Sequence, residues 1–254
     1  MRKTSLSVAL IATLALSNAG CNDAVKPDDT AQPTGKPSFI HHPEPPAKDL
    51  AAPFKALGCP KESYSSGIKP CGALEKFGCT SINLLEGEYA GVFTAFQPSY
   101  PIAMCQIVAN GRPPLAEGEY VSSGGGLLQQ YTRYIIAKDG KFALLKNKAD
   151  FQHLFLPIDD GFEALAYARI MTPYMAAYGF QYNSNETYFV KSIEDSHAKP
   201  AGDGYDVLMY EHSIFGCGKH PTYAVKLHVS KDGKITELGS KTKISEGKME
   251  MCVD

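Results

Sequence analysis

The stretch Pro221-Thr222-Tyr223-Ala224-Val225-Lys226-Leu227-His228-Val229-Ser230, followed by Lys231-Asp232-Gly233 and Lys234-Ile235-Thr236-Glu237-Leu238, decides the fold class. Tyr223, Val225, Leu227 and Val229 alternate with Ala224, Lys226 and His228. That period of two puts one face of a strand on a core and the other toward solvent. Asp232-Gly233 supplies the positive φ angles of a tight hairpin turn at little steric cost. Residues 221–230 and 234–241 therefore read as an antiparallel hairpin. Two further Asp-Gly pairs repeat the signal. Asp203-Gly204 separates strand candidates at 187–196 and 205–215, and Asp139-Gly140 separates 131–137 from 141–146.

Upstream of these strands the period changes. Asp160 stands where a helix cap belongs, with Glu163 three residues on, and Phe162, Leu165, Ala166 and Ile170 follow at helical intervals. Thr172-Pro173 ends the run, because the residue before proline avoids the α region. A short amphipathic helix is predicted at 150–155, and 174–183 reads as a flexible connection. The predicted class is α+β: an antiparallel β-meander packed on a helix, which buries both apolar faces at once. A smaller disulfide-stapled β-rich region precedes it. A helix followed by four antiparallel strands resembles the cystatin-like and PepSY-like α+β modules. That resemblance implies a small secreted domain that binds or inhibits rather than catalyses.

The region from 54 to 146 carries four cysteines within 59–105. Residues 86–96 and 104–109 read as strands, Gly111-Arg112-Pro113-Pro114 as a turn and Gly124-Gly125-Gly126 as a loop. The glycine run has neither the Lys-Ser/Thr of a P-loop nor the spacing of a dinucleotide turn, so it does not read as a phosphate cradle.

The start of the chain reads as a targeting signal. Arg2 and Lys3 precede an apolar run at 6–16, too short to span a bilayer core, and then Ser17-Asn18-Ala19-Gly20-Cys21. This resembles a bacterial lipoprotein leader, in which a small residue precedes a cysteine that takes lipid. Ala19, Gly20 and Cys21 match that pattern and Asn18 departs from it. Ser17-Asn18-Ala19 also fits an ordinary signal-peptidase site, which would release a soluble protein from Gly20. The cysteine count bears on the choice. Of seven cysteines, Cys21 leaves six, and Cys59, Cys71, Cys79, Cys105, Cys217 and Cys252 can pair completely. Three disulfides suit an oxidising compartment. Sequence leaves fifteen connectivities open; Cys217–Cys252 is expected because the other four cysteines cluster within 59–105 and can pair among themselves, Cys59–Cys71 with Cys79–Cys105 being one of their pairings.

The chain divides as signal peptide 1–20, a tether 21–53, a stapled β-rich region 54–146, and a helix-plus-sheet module 147–254. Seven of the seventeen prolines fall between 22 and 53, where apolar residues are sparse. Such a segment buries too little to offset its ordering entropy and reads as disordered. Extended as polyproline it would reach about 100 Å from a membrane. His41-His42 inside it offer two metal-ligand nitrogens, but adjacent histidines on a mobile segment are weak ligands, so they read as solvated linker residues. Lys and Arg total 25 against 27 Asp and Glu, so no charge excess points to nucleic acid.

The candidate chemistry centres on Phe215-Gly216-Cys217-Gly218-Lys219-His220-Pro221. Cys217 reads as a disulfide half, as a metal ligand with His220 and either His212 or His228, or as a nucleophile with His220 as base. The oxidising compartment favours the first. Asp159-Asp160 read as helix caps and Glu194-Asp195 as a solvated strand end. No catalytic residue and no cofactor is expected. The expected partners are the membrane, through lipid on Cys21, and an unidentified protein or small-molecule ligand. The functional expectation is an exported, lipid-anchored bacterial envelope protein acting as a non-catalytic binding domain. The alternative is a secreted hydrolase or metal-dependent enzyme built around Cys217 and His220.

Overall fold

The computed structural model describes residues 32–46, 48–62, 67–86, 88–111, 113–124, 128–212, 216–248 and 251–253. The expected leader and Cys21 lie outside the described residues, as do Phe215, Arg112 and Gly125-Gly126. The element order begins β1 (Ser38–Ile40), α1 (Ala52–Lys55), β2 (Gly67–Ile68), a 3-10 helix (Gly72–Phe77), β3 (Ser81–Leu84) and α2 (Glu88–Phe93). It continues with β4 (Ile102–Val108), β5 (Ser122–Gly124), β6 (Gln130–Lys138), β7 (Lys141–Leu145), α3 (Lys148–Phe155) and α4 (Gly161–Met171). Then come β8 (Glu186–Tyr188), β9 (Ser192–Glu194), β10 (His197–Ala201), β11 (Gly204–His212), β12 (Gly216–Gly218) and β13 (Pro221–Ser230). The last strands are β14 (Ile235–Glu237), β15 (Thr242–Gly247) and β16 (Met251–Val253).

Among the described residues these elements build two six-stranded antiparallel sheets, with the two-stranded pairs β1–β9 and β12–β16 beside them. The first runs β2-β3-β4-β6-β5 with β7 also on β6; the second runs β10-β11-β13-β15-β8 with β14 also on β13. Alternation along the strands gives each sheet two buried faces. Ile102, Tyr134 and Ile136 of the first sheet and Val207, Met209, Val225, Leu227 and Val229 of the second line one shared core. α2, α3 and α4 fill it, through Val92, Phe93, Phe151, Phe155 and Leu165. Being enclosed on both sides, α4 buries Ala164, Leu165, Ala166, Tyr167, Ala168 and Ile170, far more than one stripe. Behind the first sheet, Ala103, Cys105, Ile107, Tyr131 and Ile135 meet Phe54 of α1 and Leu74 of the 3-10 helix. Behind the second sheet, Tyr188, Tyr210 and Ile244 meet Ile193 of β9, with Phe39 of β1 and Phe180 against them.

Local sequence explains the helix ends. The Asp160 side chain accepts from the Glu163 amide at 2.8 Å, and Glu163 reaches back to the Asp159 amide at 2.7 Å. Asn147 and Asp150 form the reciprocal cap of α3, which starts two residues before the expected 150–155 helix. Asp139 and Gly140 both have positive φ, as the β6–β7 turn requires.

Several expectations change. Residues 86–96 hold α2 rather than a strand. Val92, Phe93 and Phe96 all enter the shared core, which adjacent residues of an alternating strand would not do. The hairpin partner of β11 is β10, and its two-residue loop is Gly202-Asp203, with Gly202 at positive φ. Gly204 is needed for another reason: a Cβ there would collide with the backbone of Val229 and Ser230. Strand 234–241 shrinks to β14, and the other end of β13 pairs with β15. The sheet is therefore not a simple meander, because β8 returns to its far edge beside β15. Residues 174–183 are tied down by the Met175–Tyr210 bridge. The tether does not extend to 53. Thr34 bonds to the backbone of Tyr188, β1 pairs in parallel with β9, and Pro37 and Pro45 are buried. Proline suits this strap because a peripheral extended segment leaves its missing N–H unneeded. No helix among the described residues is long and apolar enough to cross a membrane.

Candidate functional site

The cysteines come first because their redox state limits the chemistry. Cys59 is bonded to Cys71 and Cys79 to Cys105, with Cα separations of 5.6 and 5.3 Å. Cys217 is also disulfide-bonded, and the β12–β16 register sets it directly opposite Cys252. A disulfide sulfur has no thiolate to attack a substrate or hold a metal. The readings of Cys217 as nucleophile or as thiolate ligand are thereby corrected.

The three histidines expected near Cys217 separate. His212 ends β11, with Nδ1 2.8 Å from Thr222 Oγ1 on β13. His220 follows β12 with φ of +49°. His212 and His220 share a surface hollow of about 380 Å³ with Asn183, Lys219, Thr222 and Lys248. His228 lies elsewhere. Six residues of strand separate it from Thr222, about 20 Å at the usual rise. Its Nδ1 meets Asp206 Oδ1 at 2.8 Å and its Nε2 meets Asp203 Oδ1 at 2.9 Å. Both carboxylates hold the imidazolium, first Asp206 and then Asp203, and raise the His228 pKa. His212, His220 and His228 therefore do not form one ligand set.

A different group of side chains converges where the strap crosses the second sheet. β1 and β9 pair in parallel, Ile40 opposite Glu194, and the Asp195 amide donates to the Ile40 carbonyl at 2.8 Å. The strap then delivers His41 and His42. Asp195, 3% exposed at its side chain, accepts from the His42 amide at 3.3 Å and lies 3.0 Å from His41 Nδ1. Its other oxygen accepts from the Phe180 amide at 3.2 Å. Burial opposes ionisation of Asp195, but these bonds outweigh it and hold the carboxyl below its usual range. His42 Nε2 lies 3.2 Å from Glu194 Oε2, and His197 Nε2 lies 3.7 Å from the same oxygen. The two imidazoles lie with centroids 4.0 Å apart. Burial, with His42 close by, lowers the His197 pKa.

Sequence reading missed this group. The His41-His42 pair and the Glu194-Asp195-Ser196-His197 run were each visible, but about 150 positions separate them. The β1–β9 pairing brings them together, and the hydrogen bonds of Asp195 hold them there. Only Glu194 fits the expected solvated strand end, being partly exposed: Asp195 and Ser196 are among the most buried polar residues described. Comparison with protein-family models, curated proteins and solved structures finds no match to this chain.

Proposed function

We propose that this chain is an exported, lipid-anchored protein of the bacterial cell envelope whose body is a non-catalytic binding domain. One observation carries the reading. Cys59, Cys71, Cys79, Cys105 and Cys217 are all in disulfides, as fits an oxidising compartment. The Ala19-Gly20-Cys21 junction after a short apolar run supplies the export signal and the lipid attachment point. The expected tether that follows Cys21 then spaces the body from the membrane. We read α4 with the second sheet as an α+β module of the binding kind that cystatin-like and PepSY-like domains represent. We assign the unidentified small-molecule or protein ligand to the hollow beside His212, which Glu186, Lys219 and Lys248 also line. Against the enzyme alternative, the disulfide speaks only to the versions that use a Cys217 thiol, as nucleophile or as metal ligand.

The test is the intact mass of the protein from a membrane fraction, with thiol titration of the unfolded, unreduced chain. A mature terminus at Cys21 carrying acyl mass, and no titratable thiol, is the expected result. A soluble, unmodified protein starting at Gly20 would refute the anchor. A reactive thiol at any of the six other cysteines would refute the oxidised-compartment reading.

A further inference from the structure

We infer that His42, Glu194 and His197 form a binding site for a divalent transition-metal ion of the zinc class, which fastens the N-terminal strap to the second sheet. The inference does not depend on export or lipidation.

The donor geometry suits the ion. The three ligand atoms lie within 4.8 Å of one another. Glu194 Oε2 is central, 3.2 Å from one imidazole nitrogen and 3.7 Å from the other. Ligands at zinc bond lengths of ~2.0–2.1 Å in tetrahedral array stand about 3.3 Å apart. Small side-chain movements therefore bring all three into coordination.

The histidine tautomer points the same way. His197 Nδ1 lies 2.9 Å from the Asp195 carbonyl oxygen. A carbonyl only accepts, so Nδ1 carries the hydrogen. In the neutral ring the lone pair is then on Nε2, and it faces the Glu194 carboxylate. Two electron-rich atoms turned toward each other are held by a cation between them, either a proton on Nε2 or a metal ion. An imidazole whose second nitrogen donates to a backbone carbonyl is also the usual way a metal-binding histidine is oriented.

The scaffold is organised before any ion arrives. The Glu194 carbonyl accepts from the buried Tyr210 hydroxyl, so β9 is fixed to β11. β1 fixes it on the other side, and Asp195 holds the His42 backbone. The His42 and Glu194 side chains keep 24% and 36% of their exposure, which leaves a face open for water or a further ligand. Two imidazoles and one carboxylate suit Zn²⁺, Co²⁺, Ni²⁺ or Cu²⁺ and are a poor set for Ca²⁺ or Mg²⁺, which prefer all-oxygen shells. Because the ligands meet only when the strap is docked, the ion would stabilise the docked state by mass action.

The experiment uses the full chain, stripped with a chelator and titrated with Zn²⁺ against a chromophoric competitor. The expected result is one tight equivalent. His42→Ala and His197→Ala should each weaken it at least ~100-fold, more than the loss of an outer orienting partner does, and Glu194→Gln at least ~10-fold. A His212→Ala/His220→Ala double variant should keep that equivalent, which separates this site from the hollow. Because an alanine variant could disturb the strap by itself, a second reading uses the wild type alone. Saturating Zn²⁺ should slow protease cleavage within residues 32–46 at least ~10-fold, since cleavage tracks the undocked population. Absence of a tight equivalent, its survival in His42→Ala and His197→Ala, its loss in the His212→Ala/His220→Ala chain, or unchanged strap cleavage would each overturn the inference.

Discussion

The two sheets share one core but secure their outer faces differently. The first sheet is backed by small pieces, a four-residue α1 and a six-residue 3-10 helix. Cys59–Cys71 and Cys79–Cys105 both lie in this outer layer. The second sheet is backed by a strap from the far N-terminal side, held by the β1–β9 pairing and by the hydrogen bonds of Asp195. Cover too small to hold itself by burial is stapled covalently. Cover that brings its own strand and polar contacts is held by hydrogen bonds.

The largest expected effect comes from cutting a staple. Cys79–Cys105 closes a loop with a sequence separation of 26, and Cys105 is fully buried. Chain-entropy reasoning gives about 3.5 kcal/mol for such a loop. Cys79→Ser and Cys105→Ser should each cost about that much in denaturant unfolding. The double substitution should cost little more than either alone, because both remove one bond. Near-additive losses would show that the thiols matter separately from the bond and would break the contrast.

Gly204→Ala tests the close strand approach within the second sheet. The new methyl would run into backbone atoms of Val229 and Ser230, which are part of a ladder and cannot turn aside. The expected cost is about 3 kcal/mol, the upper range for overpacking. Gly239→Ala serves as a control, since it has positive φ but open space around it, and should cost about 1 kcal/mol. Equal effects at the two sites would show that the ladder yields to the added methyl and that crowding does not make Gly204 necessary.

Asp195→Asn addresses the strap itself. Asparagine keeps the shape but gives up the charge and one acceptor oxygen. Charge-assisted bonds of this kind are worth roughly 1.5–3 kcal/mol each, so a loss of about 2 kcal/mol is expected. It should be local: amides of residues 38–40 should exchange faster with solvent while those of β4 and β6 stay protected. Uniform loss of protection through both sheets would mean that the strap supports the whole molecule and not one face.

The contrast also marks what the sequence could disclose. The Asp160–Glu163 cap, the Asp139-Gly140 turn and the alternation from Tyr223 to Val229 are local signals, and each sits in the expected element. The strap was misread because proline content measures how poorly a segment forms a helix or an inner strand. It does not show whether a distant edge is waiting for it. The same blindness hid His42, Glu194 and His197, whose meeting depends on one parallel strand pair. Conversely, the local pattern around Cys217 and His220 suggested a cluster of which strand geometry keeps His212 and His220 together and removes His228, which lies along β13 from them.

The smallest effect concerns His228, a polar contact on the solvent side of the same hairpin. Its ring bridges Asp206 and Asp203, which hold its pKa above the ordinary value of a histidine. A raised folded pKa means that this stabilisation is complete below the unfolded value of ~6.5 and is lost as pH rises through the folded value. Asp203 is shifted the other way, lowered by its bond to His228. Its share is present above the unfolded carboxylate range and is lost as pH falls through its folded value. The wild type should therefore exceed His228→Gln most near pH 5–6, with the difference fading by about pH 9. The Asp203 side chain is 80% exposed and that of Asp206 48%, so water and salt screen the pair. The peak difference should be only about 1–2 °C in Tm and should shrink in 1 M salt. Comparing the two chains at each pH cancels the other titrating groups they share. A difference that stays constant from pH 5 to pH 9 would show that His228 acts through packing, and that the outer face of this hairpin owes nothing to its ion pairs.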